Sequence, residues 1–273
     1  MKVAAIQMSS AEDVTANLRA TERLLTQAAQ AGATLALLPE NFAFMGAHET
    51  DKLAHAEPEG NGPIQAFLAQ TAQQLSLWIV AGTVPLAVPG EPGKVHAASM
   101  VYDAQGQQRA RYDKIHLFDV DVQRESATER YRESNSIAYG DLRIVVADTP
   151  AGKLGLSVCY DLRFPELYRA LVTCGAQLLS VPSAFTEKTG AAHWQTLLCA
   201  RAIENQCYVI AAGQSGTHPG GRRTWGHSMI VDPWGEILAQ RAAGEGIVIA
   251  EINLEKQAAI RGSFPALAHR RMN

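Results

Sequence analysis

The chain has 273 residues, 47% hydrophobic and 19% charged, with a net charge of −3. That is an ordinary globular balance with enough chain for a sizeable core, and it excludes the basic footprint of a nucleic-acid or anionic-membrane binder. No apolar run approaches the ~20 residues of a membrane span, and four cysteines at 159, 174, 199 and 207 form neither a disulfide framework nor a zinc spacing.

In chain order, residues 2–8 read as a short buried strand that starts without the long apolar core of a secretory signal. A helix is expected near 13–30, with Val14, Leu18, Leu25 and Ala28 at helical spacing and Gly32 beyond its end. Residues 34–40 form a second strand, halted by Pro39. The "GNG" at 60–62 is a turn and not a phosphate loop, and Pro63 opens a helix with Ile64, Phe67, Leu68, Thr71 and Leu75 on one face. Residues 77–84 are a third strand, 85–93 a Pro/Gly loop, and 96–103 with 108–114 a hairpin around "AQG".

Residues 118–141 are polar without clear periodicity and predict a long functional loop or a short irregular helix. Residues 142–149 and 154–159 make a second hairpin. A helix near 165–174, a strand at 177–182, a helix near 191–205 and a strand at 207–213 follow. Residues 227–240 are a third hairpin with its turn at Pro233–Gly235, and 246–254 is the last clear strand. With no repeat or linker, the expectation is a single domain over 1–273 with a C-terminal tail from about 262. Helices alternating with hairpins and buried strands imply an α/β architecture of two mixed sheets covered by helices.

Three ionisable residues share one kind of position. Glu40, Lys114 and Cys159 each close a predicted strand, and sites in α/β proteins gather at the carboxyl ends of strands. A free thiol is only a few per cent thiolate near neutrality, so a nearby carboxylate must take its proton and can return it to a departing amine. A lysine and the Tyr160 backbone N–H can stabilise a tetrahedral oxyanion. The same residues also read as a buried structural thiol, a loop glutamate and a surface lysine, and their spacing alone leaves both readings open.

The segments "LLPEN", "YDKIHLFDVDV", "YRES", "CYDLRFPELYRAL", "PSAFTEKTGAAHWQTLLCARAIENQCYV" and "GHSMIVDPWGEIL", spread from residue 2 to about 271, resemble the Nit branch of the nitrilase superfamily. The resemblance implies a four-layer α-β-β-α sandwich, a homodimer or larger homo-oligomer, and thiol-dependent amide hydrolysis through a thioester without metal or cofactor. It puts the family's triad on Glu40, Lys114 and Cys159 and its supporting carboxylate on Glu133. Within the superfamily, "CYDLRFPEL" and "AGQSGTHPGGRRTWGHSM" are similar to the group that cleaves deaminated glutathione to 2-oxoglutarate and cysteinylglycine. The alternative is an ω-amidase on 2-oxoglutaramate or 2-oxosuccinamate, which shares the acyl half and differs in the leaving group.

Around this set, Arg163 is a candidate for a substrate carboxylate or for pairing with Glu166 or Asp161. Phe185 and Thr186, past a strand end, and His193 with Trp194, at a helix start, are candidate pocket residues. Arg222 and Arg223, in the Gly-rich segment, are candidates for a leaving-group carboxylate. His116 could serve a Cys–His protease, but the local signature for one is absent and a carboxylate base makes it unnecessary. Cys174, Cys199 and Cys207 read as core. The expected setting is a reducing cytosol, and the expected partner a small amide, with no nucleic acid or membrane.

Overall fold

The computed structural model describes residues 1–123 and 128–272. Its elements are β1 (Lys2–Gln7), α1 (Val14–Gln30), β2 (Ala33–Leu37), α2 (Pro63–Leu75), β3 (Trp78–Ala87), β4 (Val95–Tyr102), β5 (Gln108–Asp113), β6 (Asp119–Gln123), β7 (Thr128–Arg132), β8 (Val146–Thr149) and β9 (Gly152–Leu156). After these come α3 (Pro165–Thr173), β10 (Leu178–Ser183), α4 (Glu187–Thr189), α5 (Gln195–Asn205), β11 (Tyr208–Gly213), β12 (Ser215–Thr217), β13 (Arg223–Trp225), β14 (Ser228–Val231), β15 (Ile237–Arg241), β16 (Gly246–Glu251) and α6 (Leu254–Ser263). Local chemistry sets the helix ends. The Asp13 carboxylate accepts the Ala16 N–H at 3.0 Å to start α1. Pro63 at the first position opens α2.

Two six-stranded sheets result, ordered β16-β1-β2-β3-β4-β5 and β15-β14-β11-β10-β9-β8. Each contains three parallel strands, β1-β2-β3 and β9-β10-β11, flanked by antiparallel ones. Alternation along β1 makes the layers. Val3 and Ala5 face the second sheet, while Ala4 and Ile6 pack against Leu24 and Leu25 of α1 and Leu68 of α2. Leu167 and Leu171 of α3, with Leu198 and Ala202 of α5, cover the second sheet's outer face. The order is helix, sheet, sheet, helix, as expected from the sequence. Each fully buried leucine in these seams contributes ~2 kcal/mol.

Polar contacts lock the two sheets together where β1 and β11 end. Met8 bridges to Gln214, and the Ser228 N–H donates to Gln7 Oε1 at 2.9 Å. The carboxyl ends of both parallel triplets therefore open toward one region.

Several elements differ from expectation. Within 118–141 the chain forms the β6–β7 hairpin and a 3₁₀ turn, Glu133–Asn135, instead of a loop or irregular helix; residues 124–127 lie outside the described residues. One face of this hairpin is exposed, at Asp119, Asp121, Gln123, Thr128 and Arg130, and the other buries Val122 and Tyr131, so an apolar alternation is present but spans only five residues in each strand. β3 runs through Pro85 to Ala87, into the expected loop. The strand expected over 142–149 is paired only from Val146. β16 stops at Glu251, and Leu254–Ser263 is a helix capped by Asn253. Of the three cysteines read as core, Cys207 is buried, Cys199 half-buried and Cys174 exposed.

Candidate active site

Glu40 lies three residues past β2, Lys114 directly after β5, and Cys159 three residues past β9. The fold brings them together. Lys114 is fully buried, and its Nζ donates to Glu40 Oε1 at 2.8 Å and to Glu133 Oε1 and Oε2 at 2.9 and 2.7 Å. Glu133 Oε2 also accepts the Phe118 N–H at 2.7 Å. The other Glu40 oxygen accepts the Ala184 N–H at 2.8 Å, at the end of β10. Gln214 Nε2 holds the Glu40 carbonyl at 3.0 Å. Both carboxylates thus have fixed orientations.

Two close approaches make this possible. A Cβ at Gly82 would strike the Pro39 carbonyl, next to Glu40. A Cβ at Gly140 would strike the Asp113 carbonyl, next to Lys114, whose own carbonyl accepts the Gly140 N–H at 3.0 Å. Only glycine fits either place.

Cys159 begins a 3₁₀ turn, Cys159–Arg163, with φ at +48°, a left-handed conformation that costs a non-glycine residue about 1 kcal/mol or more. Asp161 holds the turn. Its buried carboxylate accepts the Val158 N–H at 2.8 Å, the Tyr112 hydroxyl at 2.7 Å and the His116 N–H at 3.2 Å, and its Oδ1 lies 2.7 Å from His116 Nδ1. His116 therefore pairs with Asp161 and stacks on Phe164 with ring centroids 3.7 Å apart. Asn41, directly after Glu40, is left-handed too, at φ +58°, and its N–H donates to Thr83 Oγ1 at 2.9 Å.

The electrostatics follow from burial and neighbours. Burial, then the Glu40 charge, pushes the Cys159 thiol well above its ordinary range, against the opposing pull of Lys114. Burial also works against an ionised Glu40, but the charge and hydrogen bond of Lys114, the Cys159 thiol and Arg222 hold it below the usual carboxylate range. Burial disfavours charged Lys114, yet Glu133, Glu40 and Cys159 outweigh it and raise it well above the usual value. The resting set is a thiol, a carboxylate and an ammonium.

A tight cavity of about 10 Å³ opens beside the thiol. Cys159, Tyr160, Glu133, Phe185, Thr186 and Arg222 line it, together with Phe118, Ala184 and Thr189. Thr189 was not expected. It sits on the one-turn α4, and its hydroxyl lies 2.7 Å from that of Thr186. Arg163 donates to His193 Nδ1 at 3.2 Å and lies 5.1 Å over the Phe185 ring, so it takes neither Glu166 nor Asp161. His193 is exposed and contacts the site through Arg163; Trp194 is buried and donates to the His227 carbonyl at 2.8 Å. Arg223 departs from expectation: it is half exposed and pairs with Glu187 Oε1 at 2.6 Å. Among the described residues, no three His, Cys, Asp or Glu side chains converge as metal ligands.

The carbon-nitrogen hydrolase family matches residues 2–261, and the chain belongs to that family. It is 47% identical to the deaminated glutathione amidase of Synechocystis, over 98% of this chain and 97% of that one. Among solved structures it is similar to the C. elegans NitFhit protein, with a TM-score of 0.91 and 38% identity over 99% of this chain and 65% of that chain. It is also similar to Saccharomyces cerevisiae Nit3, a member of branch 10 of the nitrilase superfamily, with a TM-score of 0.87 and 30% identity over 100% of this chain and 97% of that chain.

Proposed function

We propose that this carbon-nitrogen hydrolase is a thiol amidase that cleaves deaminated glutathione to 2-oxoglutarate and cysteinylglycine. The observation that carries the chemistry is the Lys114 ammonium held between Glu40 and Glu133, beside a thiol on a left-handed turn. The substrate reading is supported by the likeness to the Synechocystis amidase.

In this mechanism Cys159 Sγ attacks the amide carbonyl while Glu40 takes the thiol proton. Lys114 and the Tyr160 N–H stabilise the oxyanion. Glu40 then gives the proton to the leaving nitrogen, and the acyl group stays on sulfur as a thioester. A water deprotonated by Glu40 attacks the thioester, releasing the acid and the thiol. Glu133 holds Lys114 in position. Arg163, set over Phe185, is the partner for the 2-oxo acid carboxylate, and Phe185 and Thr186 line the acyl pocket.

An ω-amidase acting on 2-oxoglutaramate or 2-oxosuccinamate would use the same acyl half. A second cleft of about 350 Å³ beyond Arg222 favours the larger leaving group. The same reading includes a cytosolic setting, supported by four free thiols. It also includes a homodimer or larger, supported by the exposed Ile203, Trp234 and Phe264 on one face.

The test is intact-protein mass spectrometry during turnover of deaminated glutathione. A 2-oxoglutaryl adduct on Cys159, absent from folded and inactive Cys159→Ala, is expected. Full activity of Cys159→Ala would defeat the mechanism. A kcat/KM favouring 2-oxoglutaramate would defeat the substrate.

A further inference from the structure

Arg222 is a wall shared by two cavities. On one side is the cavity at Cys159; on the other is the 350 Å³ cleft, whose lining includes Asn41, the residue after Glu40. The guanidinium donates to Glu49 Oε1 at 3.1 Å and to the Ala184 carbonyl at 3.3 Å, and it lies 5.3 Å over the Tyr131 ring. Its Nε–H is buried and has no acceptor among the described residues. Lys52 Nζ reaches the other Glu49 oxygen at 3.0 Å. One carboxylate is therefore shared by two cations, and with Arg130 and Glu129 also lining the cleft its charged side chains, Lys52, Arg130 and Arg222 against Glu49 and Glu129, leave one positive charge in excess. Burial opposes ionised Glu49, but Lys52 and Arg222 hold it down to about 2.

Amide cleavage has a direction. The acyl half stays on the sulfur, and the amine half departs past the group that protonates its nitrogen. The outer cleft meets the cavity at Cys159 along Arg222, which lines both, so it is the space open to the departing amine half. Ammonia would need none of that space, whereas the cleft volume falls in the range of small-molecule sites.

We propose that the outer cleft is the leaving-group subsite, and that Lys52 with Arg222 selects amides whose amine half is dipeptide-sized and carries a carboxylate. This rests on the reading of Glu40 and Cys159 as acid–base and nucleophile. Lys52 and Arg222 supply the charge, and the unpartnered Nε–H of Arg222 supplies a donor to the bound amide at the boundary between its two halves.

The experiment compares two 2-oxoglutaryl dipeptide amides, one ending in a free carboxylate and one with that carboxylate amidated. Wild type, Lys52→Met and Lys52→Arg are measured on both. Lys52→Met should raise the KM ratio of the free to the amidated compound about tenfold while the kcat ratio holds, the pattern of lost ground-state binding. Lys52→Arg should restore the ratio. An unchanged ratio in Lys52→Met overturns the proposal. A parallel arm measures binding of the intact free-carboxylate compound to Cys159→Ala by calorimetry, with and without Lys52→Met. No weakening there also overturns it. Wild type that cleaves neither compound defeats the amidase reading, and the binding arm then judges the cleft by itself.

Discussion

The Tyr112 hydroxyl donates to the Asp161 carboxylate across 2.7 Å, joining the segment that leads to Lys114 to the turn that carries Cys159. Both groups are buried, and burial, then the Asp161 charge, holds the phenol far above its ordinary range. Tyr112→Phe removes one charge-assisted bond and should cost about 1.5–3 kcal/mol of stability. Asp161→Asn should cost more, because a carboxamide cannot accept at both oxygens from Val158, Tyr112 and His116. Urea unfolding of both variants, with kcat for the residual activity, checks the order.

The direction of the Glu40 shift predicts the acid limb of the activity. A depressed carboxyl stays ionised as pH falls below the usual value of 4.5, so the base proposed at Glu40 would be present above that value and be lost only lower down. With the thiol and Lys114 both raised, kcat/KM should be flat through neutrality. Glu40→Gln should lose ~10²–10⁴-fold at neutral pH. Because the Glu40 charge helps to keep the thiol protonated, the residual rate should climb as pH rises. A residual rate that is independent of pH would argue against Glu40 as the base.

Gly140 should tolerate no side chain. Its absent Cβ is where the Asp113 carbonyl passes, so Gly140→Ala must displace the strand end that positions Lys114. An overpacking cost of about 1–3 kcal/mol is expected. A fall in kcat at temperatures where the variant remains fully folded would locate the damage at Lys114.

Glu49 makes a stability prediction of defined sign. Held to about 2 against a usual 4.5, it stabilises the folded chain above pH 4.5, and that contribution vanishes as pH falls toward 2. The full shift corresponds to ~3 kcal/mol. Glu49→Gln should flatten the acid side of the stability curve, measured by denaturant midpoints between pH 5 and 3.

Much of this site was legible because strand ends are legible. Glu40, Lys114 and Cys159 each follow an apolar or alternating run, and parallel strands send their carboxyl ends to one side of a sheet. Arg222 and Arg223 could not be told apart in the same way. Neighbouring residues of an extended chain point in opposite directions, and only the fold shows that Arg222 turns inward while Arg223 meets Glu187. Thr189 was missed because a one-turn helix folds back onto the pocket, an arrangement with no periodic signal. Lys52 and Glu49 lie in the irregular stretch between β2 and α2, where nothing local says which side chains face a cavity. His116 is unneeded as a base on sequence grounds, but only the fold shows its partner, Asp161, 45 residues away.

The left-handed backbone at Cys159 sets a tension between durability and work. Glycine relaxes such a position, so a laboratory population screened for heat resistance alone would gain by discarding the sulfur. Under the proposed mechanism, the sturdiest descendants of this chain would then be inert ones. Any campaign to harden the protein has to make survival depend on turnover at every round.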